Sequence, residues 1–168
     1  DPHLWLSPIR AETIIDQVLD AIIKIDPERA DIYNNNADKL KNRLKMLLVD
    51  GREKLKELND TPFLVYHDAW SHFATAFGIS ISGAVTLSPE RPPGAKRISE
   101  IRQLVRASGI RCLFKEPQFD PPLVATVLQG HDDIRVLDLD PLGATLQPGP
   151  ELYFKMMKNN IRAVASCL

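Results

Sequence analysis

Two histidines in this chain stand where an imidazole can ligate a divalent cation. His3 lies in the segment Asp1-Pro2-His3-Leu4-Trp5-Leu6-Ser7-Pro8, beside a proline turn at the mouth of an expected helix, so its ring can be aimed inward at small entropic cost. His67 closes the apolar run Phe63-Leu64-Val65-Tyr66. Neutral imidazole is the commonest nitrogen ligand for zinc, and the carboxyl end of a strand is where an α/β sheet presents its binding groups. Asp140, held by Pro141 at the end of the last apolar run, is the carboxylate best placed to add an oxygen ligand. Glu116, followed by Pro117, ends the preceding run in the same way and suits a ligand, an acceptor that holds a ligand's ring, or a tie between loops. Asp68 is expected to cap the helix after His67 or to hold a nearby ring. His72 follows His67 by five residues, roughly 140° around a helix, and so misses the i, i+4 spacing of a helical zinc motif; it is taken as packing or surface. His131, in a loop with two aspartates, is expected to face solvent.

No nucleophile accompanies these groups. The chain has no G-x-S-x-G elbow, no phosphate-cradling glycine loop and no HExxH helix. A metal held by His3, His67 and Asp140 is therefore expected to be cargo or a structural ion, and the chain not to be an enzyme. Two rivals from other classes are a zinc-dependent hydrolase with Asp140 or Glu116 as general base, and a flavodoxin-like signalling domain with Asp68 or Asp140 as phosphoacceptor. Neither accounts for the segment around His3.

The elements that must position these residues are legible from punctuation and periodicity. Ser7-Pro8 is a helix-start signal, and Ile14, Ile15, Val18, Leu19 and Ile22 recur at helical spacing, predicting a helix over 9–25. Asp26-Pro27 repeats the signal and opens a long, largely exposed helix to about Leu58, with Ala30, Tyr33, Ala37, Leu40, Leu44 and Leu47 as a narrow apolar stripe. Asp50-Gly51 is the place where it could bend, because glycine inside a helix costs about 1 kcal/mol. From Thr61 the texture changes to strands at 63–66, 79–84, 111–115 and 134–139, alternating with helices at 69–77, 95–108, 121–128 and 151–166. Gly78 and Gly109 each end a helix as a left-handed cap would. Such alternation predicts an α/β fold: a four-stranded parallel sheet flanked by helices, preceded by a helix and a long helix. His67, Glu116 and Asp140 then share the carboxyl edge of the sheet. Residues 88–94, rich in proline, are expected to form a surface loop.

At 168 residues, 44% apolar and 26% charged, the chain can bury one good core or one core plus an appended helical element. The balance of 21 basic against 22 acidic residues, with few aromatics, argues against nucleic-acid binding. No apolar stretch approaches the ~20 residues of a membrane span, and no signal peptide opens the chain, so any targeting segment lies upstream or has been removed. Cys112 and Cys167 leave buried thiols and a disulfide equally open.

The motifs Asp1 to Pro8, Asp26-Pro27 with Tyr33 to Asn36, Phe63 to Trp70, Phe114 to Phe119 and Leu139 to Gly143 together resemble one family. It is the metal-binding receptors of bacterial ABC importers (cluster A-I), most closely the zinc-uptake members of ZnuA type. The resemblance covers nearly the whole chain, in order. It implies two α/β lobes joined by a long rigid helix, with the metal held between them and passed to an ABC permease in the inner membrane. On this resemblance His3 and His67 are the second and third histidine ligands, Asp140 is the carboxylate position, and 32–58 belongs to the connecting helix. Residues 1–58 are then a helical interlobe region and 59–168 the carboxy-terminal lobe.

Histidine rather than glutamate at position 67 favours zinc over manganese, imidazole being the softer ligand; a manganese or iron receptor of the same family is the alternative. The resemblance also implies a Cys112–Cys167 disulfide, and a periplasmic location or a lipid anchor at the surface of a Gram-positive cell. A complete member would have an amino-terminal lobe before Asp1, with a further histidine and a mobile acidic, histidine-rich loop. The chain is thus expected to be a carboxy-terminal portion whose first helix, lacking that lobe, leaves an apolar face open to self-association.

Overall fold

Ser7 starts the first helix as expected: its hydroxyl accepts the Arg10 N–H, and Pro8 occupies the first turn, where no backbone N–H is needed. In the computed structural model, which describes residues 1–58, 60–88, 93–118 and 122–167, helix α1 spans Pro8–Ile25 and α2 spans Ala30–Leu55. The two pack on each other, and α2 packs along the last helix of the chain. At Gly51, where the sequence allowed a bend, α2 stays helical. The glycine answers to packing instead, since a Cβ there would lie 2.4 Å from the Phe77 ring and 2.9 Å from Ile161 Cδ1.

Beyond α2 the chain alternates: β1 Phe63–His67, α3 Ser71–Phe77, β2 Gly83–Thr86, α4 Ala95–Ser108, β3 Cys112–Lys115, α5 Pro122–Leu128, β4 Arg135–Asp138 and α6 Leu152–Cys167. The strands form one parallel sheet in the order β2-β1-β3-β4. Strand β1 is buried along its whole length, and its side chains alternate between two cores. Phe63 and Val65 join Phe114, Cys112 and Ala84 in a core closed by α2, α3 and α6, while Leu64 and Tyr66 join Leu113 and Val85 under α4 and α5. Gly78 and Gly109 end α3 and α4 with φ of 71° and 62°, the left-handed caps their positions suggested.

The second strand lies further along than the apolar residues suggest. Ile79 and Ile81 pack into the α3-side core from an approach segment, and ladder pairing begins only at Gly83, opposite Leu64. Residues 89–92 of the proline-rich loop, and Pro121 at the expected start of α5, lie outside the described residues.

The order of strands puts a reversal between β1 and β3. From β1 the chain steps outward to β2 through α3; from β3 it steps the other way to β4 through α5, on the opposite face. A crevice therefore opens beyond the carboxyl ends of β1 and β3, the place where parallel sheets bind ligands. Cys112 of β3 and Cys167 of α6 are joined by a disulfide with Cα atoms 6.2 Å apart. Among the described residues no helix is long and apolar enough to cross a membrane.

Candidate metal site

His67 is the last residue of β1 and Glu116 the first after β3, so the pairing of these strands brings them side by side at the crevice. Both are buried, at 6% and 1% exposure. The His67 Nδ1 is hydrogen-bonded to Glu116 Oε1, and the other carboxylate oxygen accepts from Gln118 Nε2 at 2.9 Å. Asp68, the alternative partner for a ring, is exposed and holds none.

His3 arrives from the other end of the sequence. Its ring lies 5.2 Å from that of His67, centroid to centroid, and edge-on to it. What brings it there is the docking of the segment that follows it. The Trp5 indole donates to the carbonyl of Pro141 at 2.7 Å, and the hydroxyl of half-buried Tyr153 on α6 donates to the carbonyl of Trp5 at 2.9 Å. The Trp5 ring in turn stands 5.2 Å from the His3 ring. Desolvation by burial, followed by the nearby His67 ring, lowers the His3 pKa below its ordinary 6.5, so the ring is neutral and able to ligate at pH 7. A cleft of about 410 Å³ is lined by both histidines with Asp68, Glu116, Gln118 and Leu142.

Asp140 follows β4 and is built into the adjoining turn. Its Oδ1 accepts the N–H groups of Leu142 at 3.0 Å and Gly143 at 2.8 Å. Buried Asn160 on α6 clamps the same point, donating to the Asp140 carbonyl at 2.8 Å and accepting its N–H at 2.9 Å. Asp140 Oδ2 is buried and accepts no hydrogen bond. Its neighbours Pro141 and Leu142 line the cleft, and Asp140 itself is not among the lining residues. The structure thus brings His3 and His67 together, with Asp140 at the margin. Among the described residues no three His, Cys, Asp or Glu side chains are gathered as a ready metal site.

Asp138 and the two other histidines stand apart from these groups. Asp138 projects outward and pairs with Lys115 at 2.7 Å. His72 on α3 contacts the carbonyl of Asp1 at 3.0 Å, and His131 is half-buried in its loop rather than solvent-facing. Sequence reasoning gave Asp1 no role of its own. Its carboxylate bonds the His3 ring and caps α3 at Ser71, a contact across 70 residues with no local signature.

With this geometry in view, comparison with known proteins is specific. The family described as zinc-uptake complex component A, periplasmic (ZnuA), matches residues 1–167. This chain belongs to that family. The high-affinity zinc uptake system protein ZnuA of Brucella abortus is 39% identical over 168 residues, all of this chain and 50% of the relative. The protein of the same name from Paracoccus denitrificans is 31% identical, again over the whole chain and 52% of the relative. The chain spans about half the length of these curated ZnuA relatives. The laminin-binding adhesin of Streptococcus agalactiae shares the fold, with a TM-score of 0.87 at 24% identity over 100% of this chain and 63% of that one.

Proposed function

We propose that this chain is part of a zinc receptor, in which His3 and His67 hold the ion at the carboxyl edge of the sheet for delivery to an ABC permease. The observation that carries the reading is the meeting of two imidazoles at the β1/β3 crevice, each with Nδ1 engaged by a carboxylate. An ionised carboxylate can only accept, so each ring carries its hydrogen on Nδ1 and keeps the lone pair of Nε2 for a metal. Asp140 is the third ligand of the proposal: Oδ2 is the carboxylate oxygen that its turn leaves unused. Zinc suits two imidazoles and a carboxylate, and leaves a fourth position. The names of the relatives favour zinc over manganese or iron, and a role in uptake over hydrolysis or phosphoacceptance.

In this reading residues 1–58 form the interlobe region and 59–168 one lobe, with an amino-terminal lobe facing the cleft. The side chains of Ile14, Val18 and Ile25, which α1 leaves in solvent, are the surface through which this chain would self-associate. The family description supports a periplasmic location for the receptor; in a Gram-positive cell the same role would be served from a lipid anchor. Calorimetric titration of zinc tests the site. The unaltered chain is expected to bind, and His3→Ala and His67→Ala each to weaken binding at least tenfold; a double variant that binds zinc as the parent does overturns the assignment.

A further inference from the structure

The Asp1 carboxylate accepts four hydrogen bonds, two from His3 and two from Ser71. Its Oδ1 accepts from the His3 ring Nδ1 at 2.8 Å and from the His3 backbone N–H at 2.9 Å. Its Oδ2 accepts from the Ser71 N–H at 3.0 Å and from the Ser71 hydroxyl. The carboxylate is 8% exposed. One side chain therefore fixes the ring of His3 and anchors it to the first turn of α3, immediately downstream of His67.

We infer that Asp1 is a positioning residue for zinc, the counterpart on His3 of Glu116 on His67, setting both the tautomer and the direction of the His3 ring. Pinning Nδ1–H directs the Nε2 lone pair away from Asp1, and the bond to α3 fixes the distance between the two rings through the body of the lobe. The two carboxylates also bring two negative charges beside neutral imidazoles, matching the charge of a divalent cation. Without Asp1 the ring is free to turn about its own bonds, and its hydrogen moves toward Nε2, the form favoured in free histidine, which blocks ligation at that atom.

The inference rests on His3 being a ligand, and a double-mutant cycle separates the two claims. Zinc affinity is measured for the parent, Asp1→Ala, His3→Ala and the combined variant, with the His3 tautomer followed by ¹⁵N long-range NMR on metal-free protein. The expected result is an Nδ1–H tautomer in the parent, a shift toward Nε2–H in Asp1→Ala, and an affinity loss of about 10- to 100-fold that vanishes when His3 is already alanine. A loss that persists undiminished in the His3→Ala background, or an unchanged tautomer, overturns the role of Asp1. His3→Ala binding zinc as the parent does overturns the ligand assignment instead. Asp1→Asn, which keeps size and one acceptor oxygen, covers the case in which the alanine variant folds poorly, and is expected to retain the tautomer while losing part of the affinity; loss of the tautomer with affinity intact contradicts the proposal.

Discussion

A neutral imidazole has one lone pair, and the nitrogen that carries it decides whether His67 can take a metal at all. Glu116 makes that choice from a site where it is 1% exposed, held on its other side by Gln118. Glu116→Ala is therefore expected to reduce zinc affinity by about 10- to 100-fold with the cleft otherwise intact, measured by competition with a chromogenic chelator; unchanged affinity would show that β1 alone aims the ring. His3 brings a dependence on pH. Its pKa is lowered, chiefly by burial and then by the His67 ring, so the folded chain resists protonation there while the unfolded chain takes up its proton near 6.5. Stability linked to this ring is thus present above 6.5 and falls as pH drops from 6.5 toward the lower folded value, and zinc binding through His3 weakens over the same range. NMR titration of the His3 ring is expected to give a midpoint below 6.5; a midpoint above it contradicts the account. The meeting of His3 and His67 was legible because each sits against a punctuated element, a proline turn and a strand end. Asp1 was not, because its meaning depends on Ser71, which only the packed fold brings near.

At the scale of elements, the alternation of apolar runs and capped helices was enough to specify four parallel strands, because Gly78 and Gly109 mark helix ends by backbone conformation alone. Strand limits were less legible. Ile79 and Ile81 carry the apolar signal of a strand, yet they pack against the α3-side core, Ile79 buried and Ile81 half-buried, before the ladder begins at Gly83, and a sequence shows burial without showing which partner supplies it. Gly51 teaches the same distinction. Helix propensity assigns it a defect, whereas packing assigns it a place where Phe77 and Ile161 approach the backbone. Gly51→Ala should gain about 1 kcal/mol of intrinsic helix propensity and lose about 1–3 kcal/mol to overpacking. Urea denaturation is expected to show a net loss, and a more stable variant would mean that Phe77 yields freely.

Over the whole molecule, two separate stretches converge on one crevice because the carboxyl edge of the sheet is closed by structure from both ends of the chain. Trp5 is docked on the carbonyl of Pro141 and held by Tyr153 of α6, so the turn after β4 and the last helix together carry His3 to His67. The disulfide secures that arrangement by tying α6 to β3 across 55 residues. In the chain-entropy view its reduction costs about 4 kcal/mol, a large share of the stability of a chain this size, and thermal unfolding with and without reductant is expected to show a fall in Tm of several degrees or more; an unchanged Tm would mean that packing of α6 alone suffices. A two-lobed arrangement is an expectation of the resemblance alone, because the chain spans about half of its curated relatives. The most direct test of the central claim is zinc K-edge X-ray absorption on the zinc-loaded chain. Two imidazole nitrogens at about 2.0–2.1 Å are expected, falling to one in His3→Ala and in His67→Ala, whereas a spectrum without imidazole scattering, or one that neither substitution changes, would contradict the account.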